Sequence, residues 1–308
     1  MPNLEGCAPR PLDPAALRLE DRWILSRLTG CLEELNRALE GYRFSECMKV
    51  LYRFMWDEYC SSYIEMTKPR LSGDDRAAAQ QVLAYVLDQL LRMLHPFIPF
   101  VTEAIWQRLN EAAPQRGLRT IAAGEKAITI AAWPTVDAAL RNEQVEAEMA
   151  ALQAVIKAVR EIRTEVNDYR SRNKQPSIRT LPRAMVRADA VTCGSIRTYG
   201  TFVQPLAGCE VLEAGPDMAK PHGACSRIEG NLQVFVPVAD LIDLAAVRKT
   251  EEAKLAELRA AKQRAEKQLA NESFVQRADP AVVAQARQRA ADLSSQILLI
   301  EQHLADLG

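Results

Sequence analysis

The stretch VAQARQRAADLSSQILLIEQHLADLG, residues 283–308, decides the fold of the C-terminal part of this chain. Its apolar residues recur at spacings that alternate three and four without interruption. They are Val283, Ala286, Ala290, Leu293, Ile297, Ile300, Leu304 and Leu307. This pattern is the a/d seam of a coiled coil, in which a helix buries one apolar stripe against a partner helix.

A weaker seam upstream indicates the partner helix. It consists of Leu255, Leu258, Ala265 and Leu269, on a segment rich in Lys, Arg and Glu. Between the seams, Asn271 can end one helix, and Asp279 followed by Pro280 can start the next. Two helices of about 27 residues would form a thin antiparallel arm roughly 40 Å long. Such an arm suits binding along its outside better than enclosing a site.

The first 140 residues predict an antiparallel bundle of four helices joined by short connections. We place the helices at 19–39, 45–66, 74–94 and 101–111. The residues predicted to be buried in the second helix are Met48, Leu51, Met55, Tyr59 and Tyr63. Two prolines within HPFIPF, residues 95–100, force the corner before the fourth helix. A short strand is predicted at 128–134.

Residues 141–245 predict a small α/β module. A helix at 142–168 is followed by short strands at 178–188, 208–213, 226–229 and 232–237, with a helical stretch near 189–200. Gly230 and Asn231 form a hairpin turn between the last two strands. The predicted fold is therefore mainly α: a helical bundle (1–140), this α/β module, and a C-terminal antiparallel coiled-coil hairpin (246–308).

The composition argues against a catalytic or metal site. The chain has 308 residues, a formal net charge of −1, three widely spaced histidines, and seven cysteines without a C-x-x-C pair. It contains no phosphate-binding glycine motif and no nucleophile elbow. Unpaired cysteines indicate free thiols in a reducing cytoplasm, and no apolar run approaches the length of a membrane span. We expect a soluble, cytoplasmic protein without a bound cofactor or metal.

Basic residues are concentrated between 157 and 187, where nine Lys and Arg face three acids. Lys157, Arg160 and Arg163 recur on one helical face, and Arg170, Arg172 and Lys174 follow in the adjoining loop. A solvated face would usually carry balancing acids, so this excess favours a nucleic-acid surface. The first helix of the arm carries seven basic and four acidic residues between 248 and 267. That smaller excess fits phosphate binding and simple solubility equally well.

Basic and aromatic residues also occur together in the bundle. Arg22, Trp23 and Arg27 lie near the start of the first helix, and KPR, residues 68–70, closes the second. A cation beside an exposed aromatic ring is what an unstacked RNA base requires. The aromatic residues Trp23, Tyr52, Trp56 and Tyr59 at near-helical spacing are nevertheless more often core residues than a stacking surface.

Several motifs resemble one known family. LEDRWILSRL (19–28), FMWDEYCSSYIEMTKPR (54–70), LRMLHPFIPFVTEAIW (91–106) and AWP (132–134) are similar to the anticodon-binding helical domain of class I aminoacyl-tRNA synthetases of the valine, isoleucine and leucine group. LANESFVQRADPAVV (269–283) resembles the hairpin tip of the C-terminal coiled coil of the valyl-tRNA synthetase family. The resemblance covers essentially the whole chain.

The resemblance implies a tRNA-recognition part without a catalytic core. The family's H-I-G-H and K-M-S-K-S motifs and its editing domain have no counterpart here, so the chain resembles the C-terminal third of the enzyme, as a fragment or a split-gene subunit. We expect no aminoacylation by the chain alone. The full-length enzyme would use ATP and Mg²⁺. The implied partners are valine tRNA and a catalytic core, in the same chain or a separate one, and we expect a monomer.

The resemblance also assigns candidate tRNA contacts. Residues 1–140 would hold the anticodon stem-loop, through Trp23, Arg27, Lys68 and Arg70. The middle module would add the basic face of Lys157, Arg160 and Arg163 with its loop. The arm would lie against the outer corner of the tRNA and bring cations near its backbone. These cations are Arg259, Lys262, Arg264, Lys267 and Arg277.

The competing hypothesis is a protein-interaction module without RNA binding. The seam at 283–307 could pair with another chain, although an intramolecular hairpin satisfies it equally well. An independent enzyme has no residue in its favour.

Overall fold

The computed structural model of the protein describes residues 2–270 and 280–306. It confirms the predicted fold class, with a helical N-terminal part, a small mixed-sheet module and a C-terminal pair of helices in contact. Asn271, Arg277, Asp279 and Leu307, which the sequence singled out, lie outside the described residues. The chain divides into two compact units, Met1–Gln153 and Ala154–Gly308. The predicted domain boundaries at 140/141 and 245/246 stay predictions.

The first helix, α1 (Leu19–Glu40), confirms its prediction almost to the residue. It begins after an extended Arg18 and ends at Gly41. Ile24, Leu28 and Leu35 are buried, as the periodicity indicated. Two acids, Glu20 and Asp21, occupy the first turn, where the helix dipole favours negative charge.

The second helical segment has three parts: α2 (Phe44–Tyr52), a π-helical stretch (Arg53–Tyr63) and α3 (Ile64–Thr67). Its buried residues are Cys47, Leu51, Phe54, Tyr59, Tyr63 and Met66. The step of five residues from Phe54 to Tyr59 fits the wider π turn. The prediction that Met48 is buried was wrong, because Cys47 takes the inward position and Met48 lies on the exposed face.

Two further helices complete the N-terminal bundle, α4 (Arg76–Leu94) and α5 (Pro99–Ala112). The stripe predicted for α4 is buried, from Val82 to Leu94. Trp106 of α5 is fully buried, and the guanidinium of Arg116 lies 4.4 Å from its ring centroid. Arg116 also donates to the Asp88 carboxylate at 2.6 Å, so a charged pair is buried beside the ring.

The strand predicted at 128–134 was wrong. Ile128–Ile130 form a 3₁₀ turn, in which the Ile128 N–H donates to the Glu103 carboxylate at 3.0 Å. The strands of this unit are instead β1 (Gln115–Arg116) and β2 (Ala122–Ala123), an antiparallel pair. The remaining 3₁₀ turns are Pro2–Leu4, Pro14–Ala16, Lys68–Ser72 and Ala138–Leu140.

A buried ion-pair cluster fastens α1 to the turn that follows α3. The side chain of Arg70 is 5% exposed, and its two terminal nitrogens donate to the two oxygens of Asp21 at 2.8 and 2.7 Å. Arg70 also contacts Glu20 at 2.9 Å and Asp75 at 2.8 Å, and the Tyr63 hydroxyl donates to Asp21 at 2.6 Å. Burial, and then the neighbouring Asp21, raise the pKa of Glu20. A buried bidentate pair of this kind is among the stronger hydrogen-bonded contacts that proteins form.

The long helix α6 (Glu143–Arg172) contains the boundary between the two units, and it extends past the predicted end at 168. Its predicted stripe, from Val145 to Val166, is buried. The four strands that follow are β3 (Leu181–Arg187), β4 (Cys209–Ala214), β5 (Ala224–Glu229) and β6 (Leu232–Pro237). Their order in the sheet is β4-β3-β6-β5, with β3 and β4 parallel and the other pairs antiparallel.

Turns within the module explain its connections. Gly230, at φ +59°, allows the predicted tight turn between β5 and β6. Two short helices, α7 (Ala190–Thr198) and α8 (Gly200–Ala207), connect β3 to β4. Gly208 ends α8 in the left-handed conformation, and a Cβ atom there would overlap the Arg163 guanidinium. Glycine at 208 therefore permits both the helix end and the close approach of Arg163.

The arm consists of α9 (Leu244–Ala270) and α10 (Pro280–Asp306), each 27 residues long. The seam residues are buried or half-buried, with Leu255, Val283 and Ile300 buried. Arg259 contacts Glu301, while Arg264 and Arg289 line one groove, so the helices run antiparallel. The prediction of two contacting helices of this length is confirmed.

All seven cysteines are unpaired, as predicted. A search of the described helices finds none with the length and apolarity needed to cross a membrane.

We expect Arg70→Met to destabilise the N-terminal unit by about 3–5 kcal/mol, because Asp21 and Glu20 would be left buried without a cation. All four tryptophans lie between residues 23 and 133, so urea unfolding followed by tryptophan fluorescence reports on this unit. Arg108→Met is the control, since Arg108 is 73% exposed and pairs only with Glu111. It should change stability by no more than about 1 kcal/mol. Equal unfolding midpoints for the two variants would refute the role given to Arg70.

Candidate nucleic-acid interface

An exposed aromatic stripe runs along the second helical segment. Phe44, Tyr52 and Trp56 are 56%, 57% and 53% exposed, and Met48 lies between them at the same four-residue spacing. The rings of Tyr52 and Trp56 are stacked, with centroids 6.5 Å apart and planes 17° apart. We call Phe44, Tyr52 and Trp56, together with Met48 between them, the aromatic stripe. Large exposed rings on a rigid helix are a surface on which unpaired bases can stack.

The sequence did not predict this stripe, because it favoured a core role for Tyr52 and Trp56. Trp23 and Tyr59 are indeed buried, but Tyr52 and Trp56 are not. The sequence does contain a signal for the stripe: the second helical segment has apolar residues on two faces, one that includes Leu51 and one that includes Tyr52. Only one face of a helix in a small bundle can be fully buried.

Three cations lie in the same segment as the aromatic stripe. Arg43 pairs with Glu46 at 3.0 Å, and Arg53 pairs with Glu34 at 2.7 Å. Lys49 is exposed and forms no ion pair within the described part of the chain. Because its charge is not compensated locally, Lys49 is the cation of this surface best suited to a phosphate.

The four bundle residues predicted to bind RNA have different positions. Trp23 is 4% exposed and Arg70 lies in the buried cluster described above, so the structure does not place either side chain where it could touch a macromolecule. Lys68 is exposed, but it contacts Glu65 at 2.6 Å. The KPR motif at 68–70 looks like a surface site when only its local sequence is considered. Asp21 and Arg70 are 49 residues apart, so short-range patterns do not reveal that they form a buried pair.

Arg27 is partly buried and holds three helical segments together. It donates to both oxygens of Glu58 at 2.9 and 2.8 Å, and to Glu146 at 2.9 Å. Its hydrogen bonds to Glu58 raise the pKa of Arg27. Burial alone would raise the pKa of Glu146, but hydrogen bonds from Ser26 and Arg27 outweigh burial and lower it. The structure therefore places Arg27 in an ion-pair network rather than at an open surface.

The cations on the basic face of α6 form hydrogen bonds and ion pairs with other parts of the fold. Lys157 contacts Glu229 of β5 at 2.8 Å, and this hydrogen bond raises the pKa of Lys157. Arg160 donates to the Leu206 carbonyl at 2.7 Å, and Arg163 donates to the Arg179 carbonyl at 2.9 Å. Lys157 also lies 3.8 Å from Glu161, one turn along α6, but its closer partner Glu229 comes from a strand 72 residues away, which the local sequence could not show.

The cations at the end of α6 and in the loop after it include three that are exposed and unpaired within the described part of the chain. The prediction that Arg170 and Arg172 lie in a loop was wrong, because α6 continues to Arg172. Arg170 donates to the carbonyls of Pro176 and Leu241, both at 2.7 Å. Arg172, Lys174 and Arg179 are exposed and form no ion pair with any residue that the structure describes. We call Arg172 at the end of α6, together with Lys174 and Arg179 in the loop after it, the open basic loop. Arg179 was missing from the predicted contacts.

The arm also carries both paired and unpaired cations. Arg259 contacts Glu301 at 2.6 Å, and Lys262 contacts Glu266 at 3.7 Å. Arg264 and Lys267 are exposed and form no ion pair within residues 2–270 and 280–306. Two cations of α10, Arg287 and Arg289, are exposed as well, and the sequence prediction did not include them. Arg264 and Arg289 line a groove of about 610 Å³ between the two helices.

Comparison with known proteins identifies two family models along the chain. Residues 21–178 match the family model of the anticodon-binding domain of tRNA ligase. Residues 243–308 match the model of the valyl tRNA synthetase tRNA binding arm. The chain belongs to the valyl-tRNA synthetase family. It carries the C-terminal anticodon-binding domain and the tRNA-binding arm of that family.

Relatives from several bacteria align with nearly the whole chain. The valine–tRNA ligase of Rhodopirellula baltica is 36% identical over 312 residues, which cover 100% of this chain and 29% of that protein. That of Bacillus cereus is 37% identical over 290 residues, covering 93% and 31%, respectively. That of Syntrophotalea carbinolica is 35% identical over 312 residues, covering 99% and 33%. The chain therefore spans about a third of the length of the curated relatives that it matches.

The two family matches show which part of a valyl-tRNA synthetase contains each surface described above. The aromatic stripe and the open basic loop's Arg172 and Lys174 lie within the match to the anticodon-binding domain, and α9 and α10 lie within the arm. Among the described residues, no cluster of three or more His, Cys, Asp or Glu is arranged to hold a metal ion. The chemistry that these surfaces offer is stacking and phosphate contact.

We expect Glu146→Gln to destabilise the N-terminal unit by about 1 kcal/mol near neutral pH, because it weakens the charged hydrogen bonds to Arg27. The folded state lowers the pKa of Glu146 below its ordinary value of 4.5. Its stabilisation is therefore fully present above that value and is lost as the pH falls through the lowered pKa. Urea unfolding of both proteins, near neutral pH and near pH 3, should show the difference shrinking in acid.

Glu143→Gln is the matched control, since Glu143 lies in the same first turn of α6, is exposed, and makes no ion pair with a described residue. It should leave stability unchanged at both pH values. A Glu146→Gln effect that persists undiminished in acid would contradict the role of the ionised carboxylate.

Proposed function

We propose that this chain is the tRNA-recognition part of a valine–tRNA ligase, and that it binds the anticodon stem-loop and the outer corner of valine tRNA. The observation that carries the proposal is that an anticodon-binding domain and a valyl-specific tRNA-binding arm occur together in one chain. We retain the division into a bundle (1–140), a module with a basic face (141–245) and an arm (246–308) as part of the proposal.

The aromatic stripe is the proposed contact for anticodon bases. Bases of an anticodon loop are unpaired, so their faces are available for stacking on aromatic rings. Tyr52 and Trp56 present such rings side by side, and Lys49 supplies an uncompensated charge in the same segment. Stacking accepts any base, so identity would come from polar groups around the rings.

Phosphate contacts are proposed for exposed cations that form no ion pair with any residue that the structure describes. These are the open basic loop, and Arg264, Lys267, Arg287 and Arg289 on the arm. A cation already paired with a carboxylate gives up that interaction when it binds phosphate, so it gains less. Lys157, Arg259 and Lys262 are therefore secondary contacts, and Trp23 and Arg70 support the fold instead.

The activity of the whole enzyme extends beyond this chain. We propose that adenylation of valine, with ATP and Mg²⁺, belongs to the part of the relatives' length that this chain does not span. The chain would present the 3′ end of the tRNA to that catalytic core, in the cytoplasm and as a monomer. The burial of the arm's seam between α9 and α10 supports a monomer, because the apolar stripe is used within one chain.

We expect the double variant Tyr52→Ala/Trp56→Ala to bind valine tRNA at least about tenfold more weakly, since each lost stacking contact is worth about 1–3 kcal/mol. Filter retention of radiolabelled valine tRNA at low salt measures this. Phe100→Ala is the matched control, because Phe100 is 90% exposed on α5 and lies outside the aromatic stripe. A double variant that binds as tightly as the Phe100→Ala protein would refute the stacking surface. Absence of valine tRNA binding by the unmodified chain, even at low salt, would refute the function.

We expect Lys267→Gln to reduce the salt dependence of valine tRNA binding. Each phosphate contact contributes roughly 0.7 to 0.9 to the slope of log K against log salt, so the slope should fall by about that amount. Arg108→Gln removes a cation that is also exposed but lies outside the proposed surfaces, and it should leave the slope unchanged. Identical slopes for the two variants would show that the arm does not contact the backbone through Lys267.

A further inference from the structure

A pocket in the N-terminal unit is not used by the proposed function. Its volume is about 190 Å³, and its floor is formed by Pro14, Leu25 and Leu140, which are buried. Since water occupies about 30 Å³ per molecule in the liquid, the pocket has room for a small polyatomic ligand. Its rim is polar and exposed, so a ligand can enter from solvent.

The decisive residue is Arg22, on the second turn of α1. Arg22 is half-buried and lines the pocket, and its Nε is buried without a hydrogen-bond acceptor. The side chain forms no ion pair with any residue that the structure describes. A buried donor on a charged group is costly to leave unsatisfied, and such a group calls for a specific explanation.

The other polar groups of the pocket define what could satisfy Arg22. A second guanidinium, that of Arg119, lies at the rim and pairs with Asp137, which does not line the pocket. The Oδ1 atom of Asn142 accepts from the Val145 N–H, so the remaining polar group of that side chain is an NH₂ donor. Asp13 is the one acid in the lining, and its Oδ1 accepts from the Ala15 N–H at 3.0 Å. Two arginines and one aspartate give the lining a net charge of +1.

We propose that this pocket binds one small oxyanion, with Arg22 and Arg119 as its charged donors and Asn142 as a neutral one. Guanidinium groups match the oxygen geometry of phosphate and carboxylate better than a point charge does. An apolar floor excludes water from one side of the ion and strengthens these contacts. The same chemistry fits a free phosphate ion and a phosphate group of RNA.

The test is isothermal titration of the whole chain with inorganic phosphate at constant ionic strength. We expect saturable one-to-one binding that weakens roughly tenfold or more in Arg22→Gln, because a charge-assisted hydrogen bond is lost. Arg119→Gln should weaken it as well and guards against a folding defect confined to the first variant. Arg108→Gln, which removes an exposed cation that does not line the pocket, should bind phosphate like the unmodified chain. Absence of saturable phosphate binding, or equal binding by all variants, overturns the proposal.

The source of the oxyanion follows from a second arm of the experiment. If the salt slope for valine tRNA also falls in Arg22→Gln, the pocket accepts a backbone phosphate; if only phosphate binding falls, it accepts the free ion. Both results support the pocket. The phosphate titration uses no tRNA, so a failure of the pocket is distinguishable from a failure of the proposed function.

Discussion

The bidentate pair between Arg70 and Asp21 is the contact on which the N-terminal unit depends. It joins the first turn of α1 to the turn after α3, and Asp75 extends it to the start of α4. The acids gain from the helix dipole of α1 as well as from the guanidinium. A network of this kind is stabilising only while every member is satisfied. It therefore fixes the position of the second helical segment, which carries the aromatic stripe, relative to α1.

The exposure of the aromatic stripe follows from how that segment is packed. Cys47, Leu51 and Phe54 face inward as far as the first turn of the π-helical stretch, and Tyr59, Tyr63 and Met66 face inward from its second turn onward. The extra residue in the π turn keeps both sets buried, and a regular α-helix would rotate one of them toward solvent. Tyr52 and Trp56 remain on the outer face, where burial does not compete with binding. The buried core and the proposed stacking surface thus use different faces of one helical segment.

Periodicity predicted the helices, the seam of the arm and most strands, because those features depend on residues a few positions apart. It failed where two faces of a helix are apolar, as for Met48 and Tyr52, and where a tertiary contact replaces a strand, as at Ile128. For the interface, the sequence identified where cations cluster but not which of them have partners. Glu229 for Lys157 and Asp21 for Arg70 come from segments 72 and 49 residues away, respectively.

The difference between cations that have an ionic partner and cations that have none decides how charge should be counted in a tRNA-binding protein. The free energy of phosphate binding comes largely from counterions released when a solvated cation meets the backbone. A lysine that already holds a carboxylate has exchanged its counterion for a protein partner, so its contact with RNA releases less. Between 157 and 187 the sequence counts nine basic residues, and the open basic loop provides three whose side chains form neither an ion pair nor a hydrogen bond with any residue that the structure describes. The strength of such a surface is set by its uncompensated charges, and only the fold determines which these are.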